Sequence, residues 1–446
     1  MKALTKRLSK LYGTSPEKSI ILSRLAGVLG TDILVKASGF LLLPFYLQLM
    51  SQAEYGLYNY ILSIISTFSL ILNLGMYIPL IKYYHSDTDA TARGRLLFTI
   101  FTTQGVVLLL ILVPLYLLKF DYYIIEFLFN SSFDYEQYRL MIMLGLIISS
   151  LSFTFNCYLF TSEKIREIKA YNICRILFIN IASIFALYYL DYDNVGTRLI
   201  FTYVGELILI CVFAFSLLRE IVPAFKGKLM NKSLKMGLPV MISSVFGIIV
   251  NFGDKFFLEK YGTLSDLSDY YLAISFASII PLIFASFQNV WLPVFMKEKD
   301  VAKNYEKTKK IIISLTTIFV VLAMLIWVGF QVLLYTGIIP WKYNEVSGIL
   351  PIVLIAQIVV AVVQLFSNYF VYFEKTRMVS IASFFVSIVS LLLAVWLIPA
   401  YNIYGASLTV LISNVLYLLI YFYTVSKLKK KYLSNGLNTE IDEKDL

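Results

Sequence analysis

Cysteine, histidine and charge are all scarce in this chain, and each scarcity removes a class of function. The three cysteines, Cys157, Cys174 and Cys211, all fall inside apolar stretches. An odd number at such depth supplies neither a disulfide framework nor a thiolate metal site, and reads as small apolar packing. The single histidine, His85, excludes any site that needs two, H-E-x-x-H included. No G-x-x-x-x-G-K-S/T or G-x-G-x-x-G run occurs, so no nucleotide site is recognisable; neither a metal nor an organic cofactor is expected. Charged residues make up 15% of the chain, against about 25% in soluble domains.

What is present in excess is apolar. The hydrophobic fraction is 59% before glycine is counted, and the mean hydropathy is +0.77. A water-soluble fold could not hide that much apolar surface, whereas a bilayer removes the need, at about 20 apolar residues per crossing helix. Twelve segments of that kind can be read, near residues 25–49, 57–81, 96–118, 140–160, 171–190, 199–218, 236–258, 270–296, 311–337, 349–373, 378–398 and 405–425. Backbone groups in hydrocarbon must bond within their own segment, so each is expected to be a helix. The first run contains Arg24, Asp32 and Lys36 and leads directly into a second span, which fits a retained helix better than a cleaved leader.

The net charge of +10 sits between the apolar segments, which makes nucleic acid an unlikely explanation for it. Counted by alternate loops, thirty of the 38 Lys and Arg fall on the side of the N-terminus, five on the other side and three inside spans. This bias predicts a multi-pass plasma (inner) membrane protein with both termini cytoplasmic. The halves echo one another weakly. Tyr58 precedes Pro79 in the second span much as Tyr271 precedes Pro293 in the eighth, so a parallel repeat of six spans is expected. The organisation reads as a six-helix lobe over 1–218, a basic interfacial linker over 219–235, a second six-helix lobe over 236–426, and a tail over 427–446 that is basic and then disordered.

Charges inside a bilayer are costly and therefore informative. Asp32 and Lys36 lie four residues apart on one face of the first span. Arg175 lies in span five, Glu206 in span six, and Asp254 and Lys255 in the outer part of span seven. Pairing that merely ties helices together would account for them. So would a hydrated lumen in which Lys36, Arg175 and Lys255 hold an anionic substrate while Asp32, Glu206 and Asp254 pair with them or bind H+ or Na+. Polar stripes favour the lumen. Gln357, Gln364 and Asn368 share a face of span ten, and Asn59, Ser63, Ser66 and Asn73 share one of span two. Asn251 precedes Asp254 by one turn, and Gln288 lies in span eight with Asn289.

The stretch Ser51-Gln-Ala-Glu-Tyr-Gly-Leu-Tyr, read with Asn73-Leu-Gly-Met76, resembles the second span of the polysaccharide transporter family. Gly237-Leu-Pro239 through Asp254-Lys255 to Leu292-Pro293 is similar to that family's seventh and eighth spans, with Lys255 where many members carry Arg. The family includes the O-antigen and exopolysaccharide flippases of the multidrug/oligosaccharidyl-lipid/polysaccharide superfamily. The resemblance implies an all-α integral membrane protein of about twelve transmembrane helices in two six-helix lobes around a central cavity. It implies alternating access and a cationic lumen for a polyprenyl-diphosphate-linked oligosaccharide. The expected partners are that lipid-linked oligosaccharide, membrane lipids and other polysaccharide-assembly proteins. A glycan polymerase or ligase would need a large outer loop carrying acids and bases, and the outer loops are short. A drug or cation antiporter on the same fold would favour acids over cations in the lumen, where the two are balanced here.

Overall fold

Apolar runs longer than a bilayer is thick have one local solution, and the computed structural model shows it. It describes residues 38–85, 89–130, 133–190, 192–298, 300–373, 375 and 377–434, which are helical but for short connections. In chain order the helices are α1 (Ser38–Leu49), α2 (Gln52–Leu72), α3 (Tyr77–Tyr84), α4 (Ala90–Leu117), α5 (Phe120–Leu128) and α6 (Tyr135–Thr161). Then come α7 (Ile165–Arg175), a π-helical turn (Ile176–Ile181), α8 (Ala182–Tyr189), α9 (Asn194–Glu220) and α10 (Gly227–Tyr261). The rest are α11 (Leu264–Ala277), α12 (Ile279–Lys297), α13 (Val301–Tyr335), α14 (Val346–Tyr372) and α15 (Arg377–Ser434).

Ten of these stretches are long and apolar enough to cross a membrane, with α7 to α8 counted as one and α11 with the first part of α12 as another. α15 contains two, because Asn402 breaks it with φ 50° and ψ −124°. α1 is the described end of the first expected span, so the twelve segments are accommodated. Large apolar residues cover the exposed faces, as with Ile313, Val321, Met324 and Leu325 on α13. In water such a surface would aggregate; in hydrocarbon it is the solvated face.

Aspartates start several helices by accepting from the first free backbone N–H groups. Asp89 accepts from Thr91 N at 3.0 Å, Asp193 from Gly196 N at 2.6 Å, and Asp300 from Lys303 N at 3.0 Å. Thr263 and Asp266 form a reciprocal capping box at the start of α11.

Two expected single spans are interrupted. The second span splits between α2 and α3 at Asn73–Met76, where Leu74 and Gly75 take φ of 56° and 66°. Gly75 and Gly237 let the two backbones meet: a Cβ on Gly237 would lie 2.4 Å from Leu74 O, and one on Gly75 would lie 2.4 Å from Gly237 O. Only glycine fits at either position. The eighth span breaks at Ser278, three residues before Pro281, whose ring cannot sit beneath the carbonyl of residue 277. The segment after Lys119, expected to be an outer loop, contains α5. Its Asp121 is tied to Arg139 of α6 at 2.6 Å, and Tyr135 donates to the same carboxylate at 2.7 Å. Burial alone would raise the Asp121 carboxyl, but these donors hold it below its ordinary range.

The chain divides into two compact units. One comprises Met1–Leu49, Ile61–Ile125 and Asp134–Ile242, the other Met50–Tyr60, Glu126–Phe133 and Ser243–Leu446. In the first, Met76, Leu80, Leu97, Phe155 and Tyr171 are among the fully buried core. In the second, Phe295 packs edge-on to Tyr369 at 4.8 Å, and Leu258, Leu272, Ile349 and Leu350 are fully buried.

Candidate functional site

Among the described residues of the first unit, Glu206 on α9 and Arg175 on α7 come together. The Glu206 side chain sits in the core, the residue only 5% exposed. A carboxylate at such depth must collect donors: two hydroxyls hydrogen-bond it and one guanidinium pairs with it by charge, while its Oε2 has no hydrogen-bond partner among the described residues. Ser152 Oγ of α6 donates to Oε1, Tyr171 Oη of α7 donates to the same oxygen at 2.5 Å, and Arg175 Nε of α7 lies 3.0 Å from Oε2. Asn156 braces Ser152 from one turn on, donating to its carbonyl at 2.8 Å. Arg175 and Glu206, read separately from the sequence, are thus one ion pair.

The pair is asymmetric. The Arg175 side chain is 39% exposed. Its Nε lies 3.0 Å from Glu206 Oε2, and among the described residues none of its three nitrogens has a hydrogen-bond partner. The guanidinium is therefore drawn to the carboxylate by charge and keeps its N–H groups open. It sits at the last residue of α7, where the helix widens into the π turn Ile176–Ile181. Such turns are rare in long helices and concentrate at functional sites.

A second polar cluster in this unit ties helices together. Asn73, expected on a hydrated face of span two, is instead 1% exposed. It lies where α2 has ended, and its Nδ2 donates to Thr154 Oγ1 at 2.6 Å and Ser150 O at 3.3 Å. Gln104 of α4 donates to Ser150 O and Oγ at 2.8 and 2.9 Å. The helix break turns Asn73 inward, so it does not continue the stripe of Asn59 and Ser66. Asp32 and Lys36 lie outside the described residues.

In the second unit, Asp254 is 3% exposed and accepts from Lys255 Nζ at 3.1 and 3.2 Å and from Tyr270 Oη at 2.5 Å. Lys255 Nζ also donates to Asn251 O at 2.6 Å. The Lys255 ammonium thus folds back along its own helix. The Asn251 side chain is exposed, donating to Gly247 O at 2.7 Å. Gln288 donates to Asn368 Oδ1 at 2.8 Å, linking α12 to α14, with Asn368 buried. Gln357 is half-buried and Gln364 exposed, so the three amides of span ten differ in surroundings. Asp269 of α11 is buried and accepts from Gln52 Nε2 at 3.1 Å. Gln52 donates as well to Lys342 O at 2.6 Å, and Lys342 Nζ to Met50 O at 2.7 Å.

Residues 27–299, more than half of the chain, match the family described as polysaccharide biosynthesis protein. The chain belongs to that family. No curated protein matches it by sequence. Among solved structures it is similar to the lipid II flippase MurJ in an inward closed conformation, at 16% identity and a TM-score of 0.65, over 89% of this chain and 86% of that one. An inward-facing multidrug resistance MATE family transporter of the MOP superfamily aligns at 12% identity and a TM-score of 0.72, over 90% and 96% of the two chains. A MOP superfamily transporter from Pyrococcus furiosus aligns at 13% identity and 0.60, over 94% and 96%. These likenesses establish the fold: a multi-pass helical membrane protein built like the MurJ and MATE transporters.

The match to the polysaccharide biosynthesis family takes in Arg175, Glu206, Asp254, Lys255 and Gln288, and ends before Gln357, Gln364 and Asn368. The reading of the sequence did not single out Ser152, Tyr171, Gln104 or Gln52. A signal for some of them existed. Ser150 with Thr154, and Ser152 with Asn156, make two polar rows at helical spacing on span four, one serving Asn73 and Gln104 and the other serving Glu206.

Proposed function

We propose that this protein is a flippase that moves a polyprenyl-diphosphate-linked oligosaccharide from the cytoplasmic to the outer leaflet, by alternating access, during surface polysaccharide assembly. The observation that carries the reading is Arg175. A glycan headgroup carries many hydroxyls, each costing several kcal/mol to place in hydrocarbon, and a diphosphate costs more. A guanidinium drawn to Glu206 by charge, with both Nη groups free of a hydrogen-bond partner among the described residues, offers two parallel hydrogen bonds to a phosphate entering the membrane. Lys36, from the first span, is proposed as a second cation for the same group. Transport of this kind makes and breaks no bond, so no catalytic residue is assigned.

The balance of charge supports this reading over export of a cationic drug. Glu206 and Asp254 each already have a cation, Arg175 and Lys255. Asp32, Glu206 and Asp254 are proposed to bind the coupling H+ or Na+ or to hold the cations in place. Asn251, Gln288, Gln357, Gln364 and Asn368 are proposed to meet glycan hydroxyls. The charge bias supports a plasma-membrane protein with both termini cytoplasmic, and the other proteins of polysaccharide assembly are proposed as its partners.

Deletion of the gene tests the proposal. Lipid-linked glycan should accumulate on the cytoplasmic leaflet, shown by protection from an impermeant glycan-oxidising reagent, and surface polymer should disappear. Unchanged surface polymer in a strain with no second flippase of this kind would refute it.

A further inference from the structure

At the end of the first unit where α6, α7 and α9 come together lies a cavity of about 380 Å³, lined by Lys164, Glu167, Phe215, Ser216, Arg219 and Glu220. A water occupies about 30 Å³ of liquid, so the space holds about a dozen, far more than a single ion needs. These residues belong to the basic side of the chain, the cytoplasmic side by the charge bias.

Half of the charge in this cavity is already matched. Lys164 Nζ lies 2.8 Å from Glu220 Oε1, donates to Tyr158 Oη at 2.5 Å, and donates to Ser216 Oγ. Glu220 Oε2 accepts from Tyr84 Oη at 2.9 Å. The other half is not matched. Glu167 accepts from Ser216 through Oε1 at 3.0 Å, while its Oε2 is buried with no donor. Arg219 rests its guanidinium over the Phe215 ring at 4.1 Å and has no carboxylate partner among the described residues. One acceptor lacks a donor and one cation lacks an anion among the described residues. The rim is apolar. Ile208, Val212 and Phe215, at intervals of four and three residues, form an exposed row on α9 that leads to the cavity and matches the path of an acyl chain along a helix.

We infer that this cavity binds the headgroup of an inner-leaflet aminophospholipid, a phosphoethanolamine. Its phosphate lies against Arg219, its ammonium donates to Glu167, and its acyl chains follow the α9 row. The charge balance selects this chemistry. Two cations and two carboxylates offer no net attraction to a purely anionic headgroup such as phosphatidylglycerol, and Glu167 repels it. A choline headgroup has the right charges but no N–H to give to Glu167. A diphosphate-linked substrate would bring at least two negative charges against Glu167 and Glu220. The site is therefore separate from the transport reading, and either can fail alone.

The test uses the full-length protein in detergent, with phosphatidylethanolamine, phosphatidylcholine and phosphatidylglycerol of identical acyl chains added in turn. Retained lipid is counted by native mass spectrometry. Phosphatidylethanolamine should be retained about ten-fold more than either of the others, the effect of one charge-assisted hydrogen bond. Glu167→Gln should bring it down to the phosphatidylcholine level, and Arg219→Gln should reduce both zwitterionic lipids. Equal retention of phosphatidylethanolamine and phosphatidylcholine by the unaltered protein would overturn the inference, and so would preferential retention of phosphatidylglycerol. That comparison needs no variant to fold.

Discussion

Replacing Arg175 by Gln separates its two roles, because the structure sets the size of one of them. In the protein, Glu206 is buried with two hydroxyl donors and one guanidinium. Removing a partner from a fully buried ion pair costs about 3–5 kcal/mol. Here the lost partner is more than a third exposed and the two hydroxyl bonds survive, so the expected loss is smaller, about 2 kcal/mol. For a unit of roughly two hundred residues that is a fall of about 4–8 °C in melting temperature. Adding Glu206→Gln removes the stranded charge. An amide can still accept from Ser152 and Tyr171, so the double variant should melt within about 2 °C of the unaltered protein. Transport should not follow stability. If Arg175 carries the diphosphate, the single variant loses surface polymer in a complementation assay, and the double variant stays inactive although its fold is restored. Membrane levels of each variant are measured in the same cells. A double variant that supports wild-type polymer would refute the reasoning and leave Arg175 with a structural role only.

Three further outcomes are expected. Reporter fusions after Gln52, Asp193 and Asn402 should register outside the cell, and fusions after Asp87, Lys299 and the C-terminus inside; an external C-terminus would break the twelve-span arrangement. Gly237→Ala places a methyl 2.4 Å from Leu74 O, which forces two backbones apart at a cost of about 2 kcal/mol; a melting temperature equal to wild type would show that this joint gives way freely. Because the folded protein holds the Asp121 carboxyl below its ordinary value of 3.8, its contribution is complete above that pH and is lost as acid takes the solution down through the lowered value. The melting temperature of the unaltered protein should therefore fall more steeply below about pH 4 than that of Asp121→Asn, and parallel curves would count against the Asp121–Arg139 pair as its source.

The spans were legible because hydrocarbon allows so few alternatives: length and hydropathy sufficed to read the described helices long and apolar enough to cross it. The interruptions were harder. The break at Leu74 and Gly75 is made by a backbone meeting Gly237 more than 150 positions away, and no local pattern announces such a partner. For the same reason Asn73 was expected to face water: a periodic stripe presumes an unbroken helix, and α2 ends one residue earlier. Helix α5 was hidden because a nine-residue helix with an acid at its start resembles an aromatic loop. At the site, depth marked out Arg175 and Glu206 as individuals, since an intramembrane charge stands out in any apolar run. Their pairing depends on how spans five and six are rotated about their own axes, which the composition of either one does not specify.

The π turn at Ile176–Ile181 can also be regarded as a matter of phase. A π turn is an α-helix that has accepted one surplus residue, and each residue advances an α-helix by about 100°. That surplus lets Arg175 point toward Glu206 while Asn180, near the end of the turn, and Ser183, just beyond it, meet Tyr46, whose hydroxyl lies 2.7 Å from the Asn180 carbonyl and 2.6 Å from Ser183 Oγ. Delete one residue from the turn and the span closes into an ordinary helix with a nearly unchanged hydropathy profile. It would still insert in the membrane, yet only one of its two faces could be in register with its neighbours. In this span, then, an insertion or deletion acts as a rotation, and the most damaging lesion is a one-residue deletion that hydropathy alone would not detect.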